Sequence, residues 1–225
     1  MLSAIIVAAG QGKRLKAAVP KPLIKIGGLP AIIYSLTLLD KHPDVDEIIL
    51  VINTDNQKAI TGAINNYSFR KIKALVLGGS RRQDSVYNGL RVVSADANWV
   101  LIHDAARPLI DYKSVTEVIQ AAKKNKAAIL GVPVKATIKS IKSNGMVAET
   151  LDRTNLWEIQ TPQVFKKELI LKAYKKYSHK RVTDDASLVE RLGNKIKIVR
   201  GSYTNIKITT PEDILFAQGI LGGKR

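Results

Sequence analysis

Apolar runs of strand length recur along this chain, and each is followed by a segment of helical pattern. SAIIVAA (3–9), EIILVIN (47–53), IKALVLG (72–78), NWVLIHD (98–104) and AAILGVPV (127–134) read as buried strands. Between them the pattern predicts helices over 30–39, 56–65, 84–93 and 114–124, the first with Pro30 in its opening turn. Strands alternating with helices at this spacing form right-handed βαβ units, and such units build a parallel sheet. The expected fold is therefore α/β: a Rossmann-like, mostly parallel twisted sheet flanked by helices. Ligands of such sheets bind beyond the carboxyl ends of the strands. The residues just after each apolar run, among them Gly10, Gly12, Gly78, Gly79, Asp104 and Arg107, are thus the first candidates for chemistry.

One segment breaks the alternation. Residues 134–153, VKATIKSIKSNGMVAETLDR, switch to a period of two about Ser143-Asn144-Gly145, and Asn-Gly between alternating runs predicts a hairpin. A lone two-stranded hairpin is marginal in water. This arm is expected to pack on something, a second copy of the chain being the natural choice. Helices over 166–176 and 184–192 follow, then strand-like KIKIVRG (195–201) and NIKIT (205–209), and a last helix opened by Thr210-Pro211-Glu212-Asp213. The 225 residues, 45% of them hydrophobic, suit a single domain over 1–225 with the arm as its appendage.

Charge and composition narrow the partners. The formal charge of +17 attracts anions, so phosphorylated small molecules, nucleic acid and anionic membranes all enter. The lysines are dispersed over helix faces, and only 3 Phe, 2 Trp and 7 Tyr are available to stack on bases. A specific nucleic-acid module is not expected. No apolar run approaches the ~18 residues of a membrane span, and Lys13 and Arg14 follow the short apolar start instead of preceding it, unlike a secretory signal. The chain has no cysteine, which excludes disulfides, thiolate metal sites and Cys nucleophiles and fits a reducing cytoplasm.

The first strand runs into AAGQGKRLKAAVPKPL (8–23). Gly10 and Gly12 permit a tight turn whose bare N–H groups can bind phosphate. A Walker loop would need Ser or Thr after Gly-Lys, where Arg14 stands, and a dinucleotide fingerprint would need glycine at Leu15. Alone, Gly-x-Gly is equally a plain strand-to-helix turn. Here Arg14, Lys16 and Lys21 follow it, and Lys21 lies between Pro20 and Pro22, which predicts a cation presented from a stiff extended segment. A fixed cation is what phosphoryl-type transfer requires.

The strand, AAGQGKRL and PKPL together resemble the nucleotidyltransferase pattern Gly-x-Gly-x-Arg followed by Pro-Lys. The later motifs GGSRRQDSVYNGL (78–90), HDAARP (103–108), LDRTNLWEIQTPQVF (151–165), VTDDAS (182–187) and NIKIT resemble the 2-C-methyl-D-erythritol 4-phosphate cytidylyltransferase family. That family serves isoprenoid precursor synthesis by the non-mevalonate route, and the likeness runs in order from residue 4 to about 216. One departure is Ser80, where the family often carries a carboxylate. A ribitol-5-phosphate cytidylyltransferase shares the fold and most of the motif logic and is the alternative.

The resemblance implies CTP and methylerythritol phosphate as substrates, Mg²⁺ or another divalent cation as cofactor, and a homodimer built through the arm. It implies that Arg14, Lys21, Arg153 and Lys207 carry catalysis, and that Ala8, Ala9, Gly10, Gly12, Gly79, Ser80, Ser85 and Ala105 surround the nucleotide. Arg107, Thr137, Arg153, Thr161, Thr183 and Lys207 would hold the acceptor, and Asp104 the metal, with Arg153 completing a partner's site if the arm crosses over. Arg81 and Arg82 are expected to favour the nucleotide electrostatically, one of the two being only a surface charge. Read from the residues alone, Asp104 could also be a turn cap, Arg107 a buried partner of a carboxylate, His103 a structural histidine and Lys207 a lysine on the polar face of a strand.

Overall fold

A computed structural model describes residues 1–10 and 19–223. Gly12 and Arg14 lie outside these described residues. Seven of the described strands form one sheet: β1 (Leu2–Val7), β4 (Glu47–Ile52), β5 (Ile72–Leu77), β6 (Trp99–Asp104), β7 (Ala127–Pro133), β10 (Trp157–Lys166) and β11 (Lys197–Arg200), in the order β11-β7-β10-β6-β1-β4-β5. β10 runs antiparallel to both β6 and β7, and the remaining pairs are parallel. The expected mostly parallel sheet is present.

The central strands are covered on both faces, which is why they read as continuous apolar runs. Alternate residues serve different cores. Ala4, Ile6, Ile48, Leu50 and Leu101 face α1 (Ala31–Lys41), α2 (Gln57–Asn65) and α4 (Tyr112–Asn125). Ile5, Ile49, Val51, Val100 and Ile102 face α3 (Arg82–Leu90), α5 (Lys167–Tyr177) and α6 (Ala186–Glu190). Local chemistry fixes the helix starts: the Asp111 side chain accepts from Ser114 N–H at 2.8 Å before α4, and Asp213 accepts from Thr210 N–H at 2.8 Å at the start of α7 (Pro211–Gly222). α7 packs Ala217 against Ile24, Ile26 and Ile208, beside a short hairpin of β2 (Lys25–Ile26) and β3 (Leu29–Pro30) that was not apparent in the sequence. No helix among the described residues is long and apolar enough to cross a membrane.

The arm forms as β8 (Lys139–Ile141) and β9 (Val147–Thr150), an antiparallel pair outside the main sheet. Gly145 turns it with φ of 82°, and Met146 N–H bonds the Asn144 side chain at 3.1 Å.

One strand is added and two local expectations are corrected. Residues 157–166, read only as a motif, form the reversed strand β10, whose pairing with β7 shifts between Ile159 and Gln163, around Pro162. NIKIT joins no sheet; its backbone is tied by Ile208 N–H to the Ala106 carbonyl at 2.8 Å. Its alternation survives without a strand partner, because Ile208 is buried in the α7 cluster while Lys207 faces the other way, to Asp104. Lys21 opens a 3-10 turn, Lys21–Leu23, instead of standing in an extended segment, because Leu23 N–H reaches the Pro20 carbonyl at 2.8 Å.

Candidate functional site

From β1 the chain runs outward through β4 and β5, then returns to place β6 on the opposite side of β1. The crevice beyond their carboxyl ends is the switch point where such sheets bind ligands. A cavity of about 390 Å³ opens there, lined at the ends of four strands: Ala8, Ala9 and Gly10 after β1, Asn53 after β4, Gly79 to Arg82 and Ser85 after β5, and Asp104 to Ala106 at the end of β6. Lys21 and Lys207 complete the wall. Every described residue predicted to surround the nucleotide therefore meets in one place.

The glycine loop is shaped by contact. A Cβ on Gly78 would stand 2.4 Å from that of Ala9 and 2.7 Å from Ser85 Oγ, and one on Gly79 would stand 2.4 Å from Asp84 Cβ. Ser85 Oγ accepts from Gly79 N–H at 3.1 Å and donates to the Arg81 carbonyl at 3.2 Å, so its hydroxyl holds the loop closed. Ser80 donates to Asp84 Oδ2 at 3.0 Å, which supplies a carboxylate four residues along.

A second cavity of about 830 Å³ adjoins the first. Arg107, Thr161, Thr183 and Lys207, four of the predicted acceptor residues, line it. Arg82, Asp104 and Lys207 line both cavities and form the boundary between them. Asp104 accepts from Arg82 Nε at 2.9 Å on one oxygen and from Lys207 Nζ at 2.6 Å on the other. Arg82 reaches onward to Asp185 at 2.8 Å, and Asp185 accepts from the buried Tyr174 hydroxyl at 2.5 Å. Burial opposes the Asp104 charge, yet Arg82 and Lys207 beside it drive its pKa far below the usual carboxylate range. Burial raises the Tyr174 phenol well above its usual value, with Asp185 adding to the shift.

Sequence reasoning could not choose between the two adjacent arginines. Arg81 is the surface one, paired with Asp84 at 2.6 Å, and Arg82 is the half-buried one, bridging Asp104 and Asp185. The missed signal was helical: Arg82 stands three, four and seven residues before Ser85, Val86 and Gly89, the face of α3 turned to the sheet.

His103 is fully buried. Its Nε2 lies 3.2 Å from the Arg107 carbonyl, which can only accept, so Nε2 carries the proton. Nδ1 then accepts from the Thr161 hydroxyl at 3.1 Å, whose oxygen in turn accepts from Asp104 N–H at 3.0 Å. Burial pushes the imidazole down to about 4, so the ring is neutral near pH 7 and serves as scaffold. Arg107 is bound by backbone, not by a carboxylate: its Nη1 donates to the Asn205 carbonyl at 2.7 Å and Nη2 to that of Ile159 at 3.3 Å. Its buried Nε has no hydrogen-bond partner among the described residues. Lys21 Nζ approaches the Ile208 and Thr209 carbonyls at 3.4 and 3.5 Å. Thr137 and Arg153 are exposed at the base of the arm, where Arg153 donates to the Lys135 carbonyl, and neither lines either of these two cavities.

Asp104 is the one carboxylate among the described residues lining the smaller cavity. No group of three metal-ligating side chains occurs among the described residues. A single carboxylate at the mouth of a phosphate loop fits Mg²⁺, which takes most of its ligands from substrate phosphates and water.

The sequence model of the 2-C-methyl-D-erythritol 4-phosphate cytidylyltransferase family matches residues 2–223. The protein of that name from Alkaliphilus oremlandii is 46% identical over 226 residues, covering 99% of this chain and 96% of its own. The chloroplastic one from rice is 43% identical, over 99% of this chain and 75% of its own. Among solved structures, 4-diphosphocytidyl-2C-methyl-D-erythritol synthase from Anaerococcus prevotii superimposes with a TM-score of 0.86 at 37% identity, over 98% of both chains. The Francisella tularensis cytidylyltransferase gives 0.80 at 33% identity, over 97% of this chain and 98% of its own. With matches of this length and identity, the chain belongs to the 2-C-methyl-D-erythritol 4-phosphate cytidylyltransferase family.

Proposed function

We propose that this chain converts CTP and 2-C-methyl-D-erythritol 4-phosphate to 4-diphosphocytidyl-2-C-methyl-D-erythritol and pyrophosphate. The observation that carries the reading is the boundary at Arg82, Asp104 and Lys207, where a nucleotide-sized cavity and a second cavity meet at a cluster of charge.

An acceptor phosphate oxygen attacks the α-phosphorus of CTP. A P–O bond forms as the bond from the α-phosphorus to the bridging oxygen breaks, and the electron pair leaves with pyrophosphate. The acceptor phosphate is already anionic, so no side chain needs to take a proton. This agrees with a neutral His103 whose ring nitrogens are both engaged internally. The difficulty is the approach of two polyanions, which positioned cations overcome. Lys21, on the nucleotide wall, stabilises charge at the α-phosphate and leaving group, with Arg14 assigned the same task. Lys207, shared by both cavities, orients the acceptor phosphate, and Arg107 and Thr183 hold it from the larger cavity. Mg²⁺ at Asp104 would neutralise triphosphate charge.

Arg153 and Thr137 act in this reading across a homodimer. The arm leaves Ile141, Met146 and Val147 each more than half exposed, an apolar surface suited to a second copy. The absence of cysteine suits a cytoplasmic setting.

Pyrophosphate release with CTP and a panel of polyol phosphates tests the reaction. Turnover is expected with methylerythritol phosphate; turnover with ribitol 5-phosphate alone would overturn the assignment. Mixing Arg153→Ala and Lys21→Ala proteins tests the shared site. Partial recovery through hybrid dimers is expected, and none after demonstrated subunit exchange would refute it.

A further inference from the structure

The helix that follows the nucleotide loop also grips a wall of the second cavity. Between α5 and α6, residues 178–185 form turns and bends without regular structure, and Thr183 and Asp184 from this segment line the larger cavity. Such a segment has no ladder to hold it, so side chains must. Three consecutive residues at the start of α3, Arg81 just before it and then Arg82 and Gln83, do so. Arg81 donates to the Ser178 carbonyl at 3.1 Å. Arg82 pairs with Asp185 at the far end. Gln83, 5% exposed, uses its whole amide: Nε2 donates to the carbonyls of Ser178 at 2.6 Å and Lys180 at 2.8 Å, and Oε1 accepts from Val182 N–H at 3.4 Å. Gln83 lines neither cavity. Gln163 of β10 holds the other end, binding Asp184 at 2.8 Å and Ala186 N–H at 3.2 Å.

We propose that Gln83 is a positioning residue for the acceptor: it fixes the segment carrying Thr183 against the helix that carries the nucleotide loop. This rests on reading the larger cavity as the acceptor's. The same amide caps the carboxyl end of α5, so a purely structural role is the competing account. The two roles differ in kinetics. A cap supports the fold and leaves substrate affinities alone. A positioning residue alters binding of the one substrate whose wall it sets.

Gln83→Met keeps the length of the side chain and deletes its hydrogen bonds; Gln83→Ala is the second variant should the thioether not pack. KM for each substrate, kcat and the melting temperature are measured for both, beside Thr183→Ala. The expected result is a rise of about tenfold in KM for methylerythritol phosphate, as for one lost positioning interaction, with KM for CTP within about twofold. A lowered melting temperature with both KM values unchanged overturns the proposal, as does an equal rise in both. If Thr183→Ala raises the acceptor KM and the Gln83 variants do not, the inference fails while the cavity assignment stands. If all three are silent toward the acceptor, the cavity assignment fails and the inference with it.

Discussion

The boundary between the two cavities rests on one carboxylate shared by two cations, and geometry and burial rank those cations differently. By distance, Lys207 at 2.6 Å is the closer partner of Asp104 and Arg82 at 2.9 Å the more remote. By exposure the order reverses: the Arg82 side chain is 26% exposed and that of Lys207 38%, against 9% for Asp104. Water screens the ammonium and competes for its protons, whereas the guanidinium is fixed by a second carboxylate, Asp185. Burial should win. The perturbation is a pair of double-mutant cycles on stability, Asp104→Asn with Arg82→Met and Asp104→Asn with Lys207→Met. Arg82→Met alone leaves Asp185 without its cation and Asp104 with Lys207 alone, and should cost about 3–5 kcal/mol. Asp104→Asn removes one of those charges and should return part of that loss, giving a coupling of roughly 2 kcal/mol or more. The Lys207 coupling should stay below about 1 kcal/mol and shrink in salt. Urea melts at pH 7, at low and moderate ionic strength, measure both. Urea is preferred because guanidinium chloride is itself a salt. A Lys207 coupling equal to or larger than that of Arg82 would refute the argument that burial outweighs distance here.

Other perturbations separate the remaining roles. Lys21→Ala should lower kcat by about 10²–10³ while KM for CTP moves little; a change confined to that KM would show that Lys21 only binds. His103 carries its proton less readily folded, at about 4, than at its ordinary 6.5. Between those values the unfolded chain holds the extra proton, so stability is full above pH 6.5 and is lost as pH falls toward 4. The loss should reach about 3 kcal/mol, and His103→Gln should flatten that part of the profile; parallel profiles would remove His103 as the cause. Gly79→Ala forces a Cβ to within 2.4 Å of Asp84 Cβ and should cost about 1–3 kcal/mol while raising KM for CTP, read by melting and initial rates. Unchanged values would mean that the loop yields freely.

Much of the fold was legible because the central strands are buried on both faces and the edge strand β5 is apolar all the same. β1, β4, β5, β6 and β7 each appear as an apolar run, and the following helices carry a clear apolar stripe. β10 was not legible as a strand: it contains Pro162, alternates poorly and is bulged where it passes β7. The nucleotide loops were legible because glycines after strands have a local geometric cause, the close approach of Ala9, Asp84 and Ser85. Arg82, Asp185 and Gln83 were not, because their partners lie 22, 103 and up to 99 residues away.

The order of apolar and polar residues determined a parallel α/β sheet, and therefore the edge where chemistry would lie. It also carried the motifs of nucleotidyl transfer, since backbone loops and strand ends are local features. Tertiary structure alone decided which charges face one another. It made Arg82 a half-buried link and Arg81 a surface residue, turned His103 into a neutral brace, and set Lys207 on Asp104 from a segment outside the sheet. The physical reason is that pattern along a chain reports burial, whereas electrostatic partnership depends on distance and desolvation, and both arise only when remote segments pack.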